Sequence, residues 1–414
     1  MEEIQHCNKC GFCLPACPTY QLTGNELHSP RGRIAMVEAA IHGEIDVGRG
    51  LEESLTYCLD CRACEVACPS GVRYHRILES GRNLLRKTRA RPMSFAVRQI
   101  LRLVKRPGRL RTAVRLGERI MRVIQPRPLK PLIPLLGYKE QNIPPLTANA
   151  SPEASVQFFE GCVMQAQFSD ANQSAKNLLG RGRIATVSPE RQGCCGALHL
   201  HSGYTEDAKA MARNNIEAFE DVNDSLIVNT AGGCGAMLMQ YGELLADDPL
   251  WSERARRFSQ RVRDWATVFR EVSQKVPLEG QGQRVVLQNS CHLVNVEHAG
   301  EDSVALLRTV AGDTFISYPE QDRCCGSAGT YNIEHPAWAS EILESKMALL
   351  TTIAPDVLIV NNPGCHLQMR QGMSRLNGNT ESVQHIAVYL ERAAERAEKR
   401  TQREGANYAK TSPT

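Results

Sequence analysis

The chain has 414 residues, of which 42% are hydrophobic and 23% charged, and its formal net charge is +4. This balance excludes disordered and fibrous proteins and predicts two or three globular domains with sizeable cores. The chain has sixteen cysteines, although only 5% of its residues are aromatic. This cysteine content is too low for a small disulfide scaffold and higher than the packing of a core requires.

The amino terminus predicts the cellular compartment. Residues 1–4 are acidic and lead directly into a cysteine motif, without the basic region and apolar core of a signal peptide. Residues 131–136 form an apolar run far shorter than the roughly 18 residues of a membrane-spanning helix. We therefore expect a reducing cytoplasm, where cysteines serve as metal ligands or redox groups and not as disulfides.

Two copies of the motif C-x2-C-x2-C-x3-C-P lie near the amino terminus. Three thiols spaced in this way can hold three corners of one cubane, while the fourth thiol reaches the other cluster. We therefore assign one 4Fe-4S cluster to Cys7, Cys10, Cys13 and Cys68, and a second to Cys58, Cys61, Cys64 and Cys17. Zinc, the alternative, is usually held by two pairs separated by a longer loop. Residues 1–81 are thus predicted to be a small α-helical ferredoxin-type domain that conducts single electrons.

A helix is predicted between the two motifs. Ser29 and Pro30 are typical of a helix start, and an amphipathic pattern follows as far as Ile41. Arg31 and Arg33 lie in its first turn, where they either offset the negative charge of thiolate-held clusters or face solvent.

Residues 82–150 are predicted to be a basic helical linker. Between residues 82 and 130 the chain has sixteen Lys or Arg and one acid, Glu118, which leaves a net charge of −11 on the rest of the chain. Basic residues recur at helical spacing through 98–109 and 111–122, which predicts a pair of amphipathic helices. The segment is either a solvated connector or a docking site for anionic lipid or an acidic partner. Nucleic acid is not an expected partner, because no recognition motif accompanies the charge.

The remaining eight cysteines form a repeat. The first unit contains Cys162, Cys194, Cys195 and Cys234, and the second contains Cys291, Cys324, Cys325 and Cys365. Each unit includes Cys-Cys-Gly and ends in Gly-Cys, with matching intervals, which indicates an internal duplication. We place the units at residues 151–280 and 281–398, followed by a flexible tail at 399–414.

Each unit alternates predicted strands with helices. Strands are predicted at 156–159, 184–187 and 226–228, and again at 285–287, 314–316 and 357–360; helices are predicted at 208–220 and 338–350. The alternation favours a parallel sheet covered by helices in each unit, hence an α+β chain with a duplicated α/β region. All eight cysteines follow strands, at the sheet edge where α/β proteins bind ligands. We therefore predict additional cluster or zinc sites there; buried thiols packed as small apolar side chains are the alternative.

Together these motifs resemble the iron-sulfur subunits of glycolate oxidase (glycolate dehydrogenase). The resemblance rests on the tandem cluster motifs and the paired Cys-Cys-Gly units, and also on CPTY at 17–20, PRGR at 30–33, PSGVRYH at 69–75 and GSAGTY at 326–331. It covers nearly the whole chain. The same combination is found in subunits serving lactate or glycerol-3-phosphate dehydrogenases and in heterodisulfide reductases.

The resemblance implies that a separate FAD-containing flavoprotein oxidises glycolate and that this chain relays the electrons toward quinone. It further implies a cytoplasmic protein, either free or peripheral on the inner face of the membrane. No G-x-G-x-x-G loop and no acid–base set is present, so we expect no catalytic residue in this chain and no substrate oxidation by it alone. His199, His201, His292 and His366, near the Cys-Cys-Gly cysteines, are either packing residues or a source of protons for reduced quinone.

One departure from related proteins concerns the end of each unit. There the relatives have C-x-x-C, whereas this chain has Ala231 and Asn362 at the earlier position. Each unit therefore keeps four cysteines instead of five, which argues against a non-cubane cluster and against disulfide-reducing activity. An ordinary cluster, zinc or a vestigial site stays open for each unit.

Overall fold

The computed structural model describes residues 2–88, 94–124, 138–146, 151–220 and 224–411. Its amino-terminal part is helical. The helices are Glu2–Gln5, Pro18–Thr23, Pro30–Ile41, Arg49–Thr56, Ala63–Val66 and Tyr74–Lys87, with a 3-10 turn at Glu26–His28. The helix predicted between the cysteine motifs is present, and it begins where the Ser29 hydroxyl accepts a hydrogen bond from the Gly32 amide.

The amino-terminal helices enclose one apolar core. Val37 on one helix packs with Leu55 and Leu78 on two others, and Leu85 belongs to the same core. The helix Tyr74–Lys87 therefore runs across the boundary predicted between residues 81 and 82, because its last turn still buries an apolar side chain in this domain.

The basic segment contains the predicted pair of helices, at Phe95–Val104 and Pro107–Ile124. Their apolar side faces the protein: Val97 and Leu101 are buried against Leu198 and Tyr204 of the first repeat unit. The parts of this segment at 89–93, 125–137 and 147–150 lie outside the described residues.

The first repeat unit is built on a four-stranded parallel sheet. Its strands are β1 (Ala154–Phe159), β2 (Ile184–Val187), β3 (Ile227–Asn229) and β4 (Val262–Asp264), in the order β2-β1-β3-β4. The helices are Cys162–Gln167, Ser169–Arg181, Ala197–His201, Thr205–Glu220, Gly232–Met239, Tyr241–Leu244, Ser252–Arg261 and Trp265–Val272, with a 3-10 turn at Ser273–Lys275. Three strands match the prediction, and β4 was missed because its sequence, Val-Arg-Asp, contains no apolar run.

The second unit has a three-stranded parallel sheet, β5-β6-β7. Its strands are β5 (Val285–Gln288), β6 (Val357–Val360) and β7 (Val383–His385). The helices are Cys291–Asn295, Gly300–Ala311, Tyr331–Glu334, Pro336–Ile353, Pro363–Leu376 and Ile386–Thr411, with 3-10 turns at Gly312–Thr314 and Thr380–Ser382.

Two predictions in the carboxyl-terminal half of the chain differ from the structure. The strand predicted at 314–316 is reduced to one parallel bridge between Val285 and Phe315, because a 3-10 turn occupies the preceding residues. The flexible tail predicted from residue 399 continues the last helix as far as Thr411; its Glu, Arg, Lys and Ala residues are strong helix formers. Residues 412–414 lie outside the described part.

The two sheets share one apolar core. Phe158 of β1 and Val228 of β3 belong to the same buried cluster as Leu287 of β5 and Ile359 of β6. The repeat units are therefore packed side by side, and the expected fold class, a helical domain followed by a duplicated α/β region, is confirmed.

The amino-terminal domain contacts both repeat units. Arg86 Nε donates to Ser202 O at 2.9 Å in the first unit, and Asn295 Nδ2 of the second donates to Cys61 O at 2.7 Å. The ring of Tyr57 also packs against that of Trp338, tilted by 47° and with the ring centroids 4.2 Å apart. Among the described residues, none of the helices combines the length and apolar character needed to cross a bilayer.

Candidate metal centres

The two cysteine motifs form separate loops with the same backbone conformation. In the first motif Lys9 and Gly11 have φ of 53° and 90°, and at the matching positions of the second motif Asp60 and Arg62 have φ of 50° and 59°. A left-handed backbone is costly for non-glycine residues, and such strain is typical of functional loops. The shared shape turns the cysteines of each loop toward one point.

The first predicted ligand set lies around one small cavity. Cys7, Cys10, Cys13 and Cys68 all line it, so the fourth thiol of the second motif does reach the loop of the first. Cys64, assigned to the other set, lines both cavities. Cys10 is exposed, and this set is therefore the one closer to solvent.

The second predicted set lines a neighbouring cavity. Cys17, Cys58, Cys61 and Cys64 surround it, together with Tyr74. The Asp60 amide donates to Cys58 Sγ at 3.4 Å, and the Tyr74 hydroxyl donates to the same sulfur at 3.5 Å. Donors of this kind stabilise thiolate-held clusters, so the residues present fit a 4Fe-4S group. Burial raises the pKa of Cys61 and of Cys64, and a bound metal would be needed to hold these thiols as thiolates.

Arg33 and Arg31 differ in their surroundings. Arg33 is 1% exposed; its Nη1 lies 3.9 Å from Cys17 Sγ, and its Nε donates to Ser54 O at 2.7 Å. Burial alone would lower the pKa of Arg33, but the neighbouring sulfurs of Cys58 and Cys17 hold this pKa above its ordinary value. The Arg31 side chain is 31% exposed and pairs with Glu26 at 2.7 Å. Of these two arginines, Arg33 is therefore the one that places a buried positive charge beside the cysteines.

All eight Cys-Cys-Gly cysteines line a single cavity of about 620 Å³. In the first unit Cys162 Sγ lies 3.4 Å from Cys194 Sγ, and Cys195 contacts both Cys194 and Cys234. The hydrogen bond to Cys194, together with burial, raises the pKa of Cys162.

The second unit repeats this chain of thiol contacts, with Cys324 beside Cys291 and Cys325 beside Cys365. Four thiols within contact distance provide the donor set for an iron-sulfur cluster or zinc in each unit.

Asn362 joins the two repeat units. Its Nδ2 donates to Cys365 Sγ at 3.7 Å, and its Oδ1 accepts from the Gly233 amide of the other unit at 3.1 Å. Ala231 occupies the matching position of the first unit and is buried. In the second unit, a side-chain amide therefore contacts one sulfur of the cysteine set.

The second motif also contacts the second repeat unit. Cys61 packs with Cys324 and Tyr331 in one buried cluster, and Cys291 borders it. The second predicted ligand set and the second Cys-Cys-Gly set are therefore neighbours.

Sequence reasoning missed a charged network centred on Asp60. His201 Nδ1 lies 2.7 Å from Asp60 Oδ2, and Arg82 Nη1 lies 3.8 Å from it. Although burial favours the neutral acid, His201, Arg62 and Arg82 hold the Asp60 pKa well below its usual range. Asp60, Glu79 and His201 are close enough to share a metal ion, but the two arginines already supply the positive charge. The sequence held one signal for this network, which was the position of Asp60 between the motif cysteines Cys58 and Cys61.

The four candidate histidines divide into two pairs. His201 and His292 line the large cavity, and burial, with the nearby charges of His201 and Arg62, lowers the pKa of His292 to about 4. His199 and His366 are buried, and the ring of His366 packs edge-on against Tyr138. The packing interpretation fits His199 and His366.

Family models match most of the chain's cysteine-bearing parts. A model described as a 4Fe-4S dicluster domain matches residues 3–72, and one described as a cysteine-rich domain matches twice, at 156–239 and 285–370. The two matches of the second model bear out the internal duplication.

Two relatives with similar names match over nearly the full length of the chain, and a third matches about half of it. The "Probable glycolate oxidase iron-sulfur subunit" of Bacillus subtilis is 38% identical, covering 95% of this chain and 94% of the relative. The "Glycolate oxidase iron-sulfur subunit" of Escherichia coli is 34% identical, with 95% of each covered. The "Lactate utilization protein A" of Shouchella clausii is 30% identical over 57% of this chain and 98% of its own length.

Proposed function

Since the chain belongs to the family of glycolate oxidase iron-sulfur subunits, an electron-transfer family, we propose that it carries electrons from a glycolate-oxidising flavoprotein to a quinone. Glycolate releases two electrons and two protons on becoming glyoxylate, and a quinone takes up two of each on becoming a quinol. A 4Fe-4S cluster, when bound, accepts and releases one electron at a time. The chain thus divides a two-electron oxidation, performed with FAD on the partner, into single-electron steps.

The observation that carries this proposal is the interleaving of the two motif sets. Cys68 lines the same cavity as Cys7 and Cys13, and Cys17 lines the same cavity as Cys58 and Cys61. Exchange of the fourth cysteine is typical of two-cluster ferredoxins. We infer two 4Fe-4S clusters on these residues, the second one insulated from solvent by burial of Cys17, Cys61 and Cys64.

We further propose that each Cys-Cys-Gly set holds a metal. Contact of Cys61 with Cys324 favours a redox-active cluster in the second unit, because zinc carries no electrons. Iron, zinc and sulfide analysis after anaerobic purification discriminates between the alternatives. More than about eight irons per chain indicates an extended relay, whereas about eight irons with bound zinc indicates a docking platform.

The flavoprotein is proposed to dock beside the first cysteine set. Phe12 lines the cavity of this set together with Cys10 and is 67% exposed, and Cys10 is exposed as well. Val66, between Cys64 and Cys68 of the second motif, is 63% exposed. Large exposed apolar side chains are typical of partner surfaces. Phe12→Asp and Val66→Asp should weaken binding of the co-expressed flavoprotein while leaving iron content unchanged; unchanged binding would place the docking surface elsewhere.

The central experiment is glycolate-dependent reduction of a quinone analogue by the co-expressed complex. Cys10→Ser and Cys61→Ser should each abolish it, because each removes a proposed ligand. Ala63→Ser, in the same loop as Cys61, is the matched control and should retain the rate. A full rate in both cysteine variants would overturn the electron-relay proposal.

Substrate and membrane binding need separate tests. Lactate and glycerol-3-phosphate are offered in place of glycolate, since a lactate utilization protein is also similar to part of this chain.

For the membrane, exposed Arg102, Arg106, Arg109 and Arg115 on the basic helices should bind vesicles containing anionic lipid. Binding that does not weaken with added salt would exclude this electrostatic attachment.

A further inference from the structure

The large cavity extends well beyond the cysteine thiols. Ile100, Val104, Leu110 and Val114 of the two basic helices line it on one side. Val104 packs directly against Cys162 and Cys194, with Ile100 and Leu110 around it. An apolar wall made by a separate segment of chain therefore lies in contact with the cysteine set of the first unit.

A polar group without a partner lines the same cavity. Tyr331 is only 5% exposed, and its hydroxyl is buried. This hydroxyl has no hydrogen-bond partner among the described residues. Leaving a buried hydroxyl unpaired is unfavourable. Tyr331 also packs beside Cys61 and Cys324, so this free donor lies next to the cysteines proposed to handle electrons.

The cavity has the size and lining of a small-molecule site. Ligand sites usually enclose about 300–1,000 Å³, with mostly apolar walls and a few polar groups that orient the ligand. The cavity volume of about 620 Å³ lies within this range, and the metals proposed on the two cysteine sets share it with a ring-sized molecule beside them. A molecule that fits this lining has an apolar body and a carbonyl oxygen able to accept a hydrogen bond from Tyr331.

We propose that this cavity is the binding site of the quinone, with its ring between the cysteine sets and its apolar substituents against Ile100, Val104 and Leu110. The assignment rests on the proposed function only for the identity of the ligand class. A quinone carbonyl accepts the hydrogen bond of the Tyr331 hydroxyl. The two electrons arrive singly from the flavoprotein side, and solvent supplies the two protons that complete the quinol.

The outer face of the wall fits a lipid-soluble ligand. The helices whose apolar side lines the cavity carry exposed arginines on the other side, including Arg102, Arg109 and Arg115. Basic side chains of this kind attract an anionic membrane surface, and membrane quinones are dissolved in the bilayer. The same segment thus supplies both the membrane-facing charge and the cavity wall.

The direct test uses a short-chain azidoquinone and the purified full-length subunit, without flavoprotein or membrane. After illumination, mass spectrometry should locate the label in residues 95–116 or 327–334. Leu110→Trp fills the cavity and should reduce labelling at least about fivefold, whereas Leu116→Trp is its matched control, because Leu116 is 56% exposed on the same helix. Tyr331→Phe should weaken quinone binding about threefold to tenfold through loss of one hydrogen bond.

Label outside both segments, or labelling that Leu110→Trp and Tyr331→Phe leave unchanged, would overturn the site. The result is separable from the proposed function. If the complex reduces quinone but the label lies elsewhere, the site is wrong while the function stands. If the label maps to the cavity but glycolate reduces no quinone, the site stands while the function fails. Tyr331→Phe changes one oxygen atom and therefore keeps the test decisive if Leu110→Trp does not fold.

Discussion

Replacing Arg33 with methionine should lower the midpoint potential of the 4Fe-4S cluster that we propose on Cys17, Cys58, Cys61 and Cys64. The guanidinium is 1% exposed, and its Nη1 lies 3.9 Å from Cys17 Sγ. Reduction adds negative charge beside this group, so a buried positive charge favours the reduced form. Methionine keeps a long unbranched side chain but removes the charge.

The size of the effect follows from this distance. Two unit charges 3.9 Å apart interact by about 4 kcal/mol at an effective dielectric constant of about 20. Since about 1.4 kcal/mol corresponds to roughly 59 mV for a one-electron couple, the upper limit is about 180 mV. The added electron is spread beyond one sulfur, so we expect a decrease of about 60–180 mV.

The assay is a potentiometric titration of the anaerobically purified subunit, followed by electron paramagnetic resonance. Arg33→Lys retains the charge and should shift the potential by less than about 60 mV. Arg31→Met removes a charge that is partly exposed and paired with Glu26, so solvent screening should limit its shift to about 30 mV. The reasoning is refuted if Arg33→Met retains its clusters and titrates within about 20 mV of the wild type, or if Arg31→Met shifts as far.

Three further predictions concern stability. Burial raises the pKa of Asp264 to about 7, above the unfolded value of about 3.9, so its contribution to the free energy of unfolding falls as pH rises through this window. Between pH 6 and 8 the free energy of unfolding of the wild type, measured by urea titration, should fall by about 1.4 kcal/mol more than that of Asp264→Asn. Parallel pH profiles of this free energy for the two proteins would contradict the prediction. Gly203→Ala should cost about 3 kcal/mol, because φ is 81° and the new Cβ would lie 2.5 Å from Arg82 O. Gly43→Ala, with φ of 73° and no atom within 4 Å, is the matched control and should cost only about 1 kcal/mol; equal losses would exclude the clash. Tyr331→Phe should raise the free energy of unfolding by about 1 kcal/mol, because it removes an unpaired buried hydroxyl; a loss would show that the hydroxyl has a partner.

Local patterns predicted most of the secondary structure. Strands β2 and β6 begin and end where their apolar runs do, and the helix after Ser29 begins at its cap. The strand expected at 314–316 does not form, because the 3-10 turn at Gly312–Thr314 leaves only Phe315 paired with β5. Strands β4 and β7 were not predicted because their sequences, Val-Arg-Asp and Val-Gln-His, contain no apolar run.

The candidate site divides in the same way. Interleaving of Cys17 and Cys68 between two loops could be predicted, because motif spacing constrains which thiol leaves each loop. The charged network of Asp60 and His201 could not, since these residues are 141 positions apart in the sequence and meet only after the domains pack.

By itself the sequence determined where the candidate ligands lie, sixteen thiols in two tandem motifs and a duplicated unit, and most of the helices and strands between them. Spacing along one chain encodes local geometry, and that is sufficient for a loop that holds a cluster. Only the tertiary structure decided that eight of these thiols share one cavity, that Arg33 is buried while Arg31 is not, and that the basic helices wall the cavity with their apolar side. These features depend on which surfaces exclude water together, and that is a property of packing between distant segments.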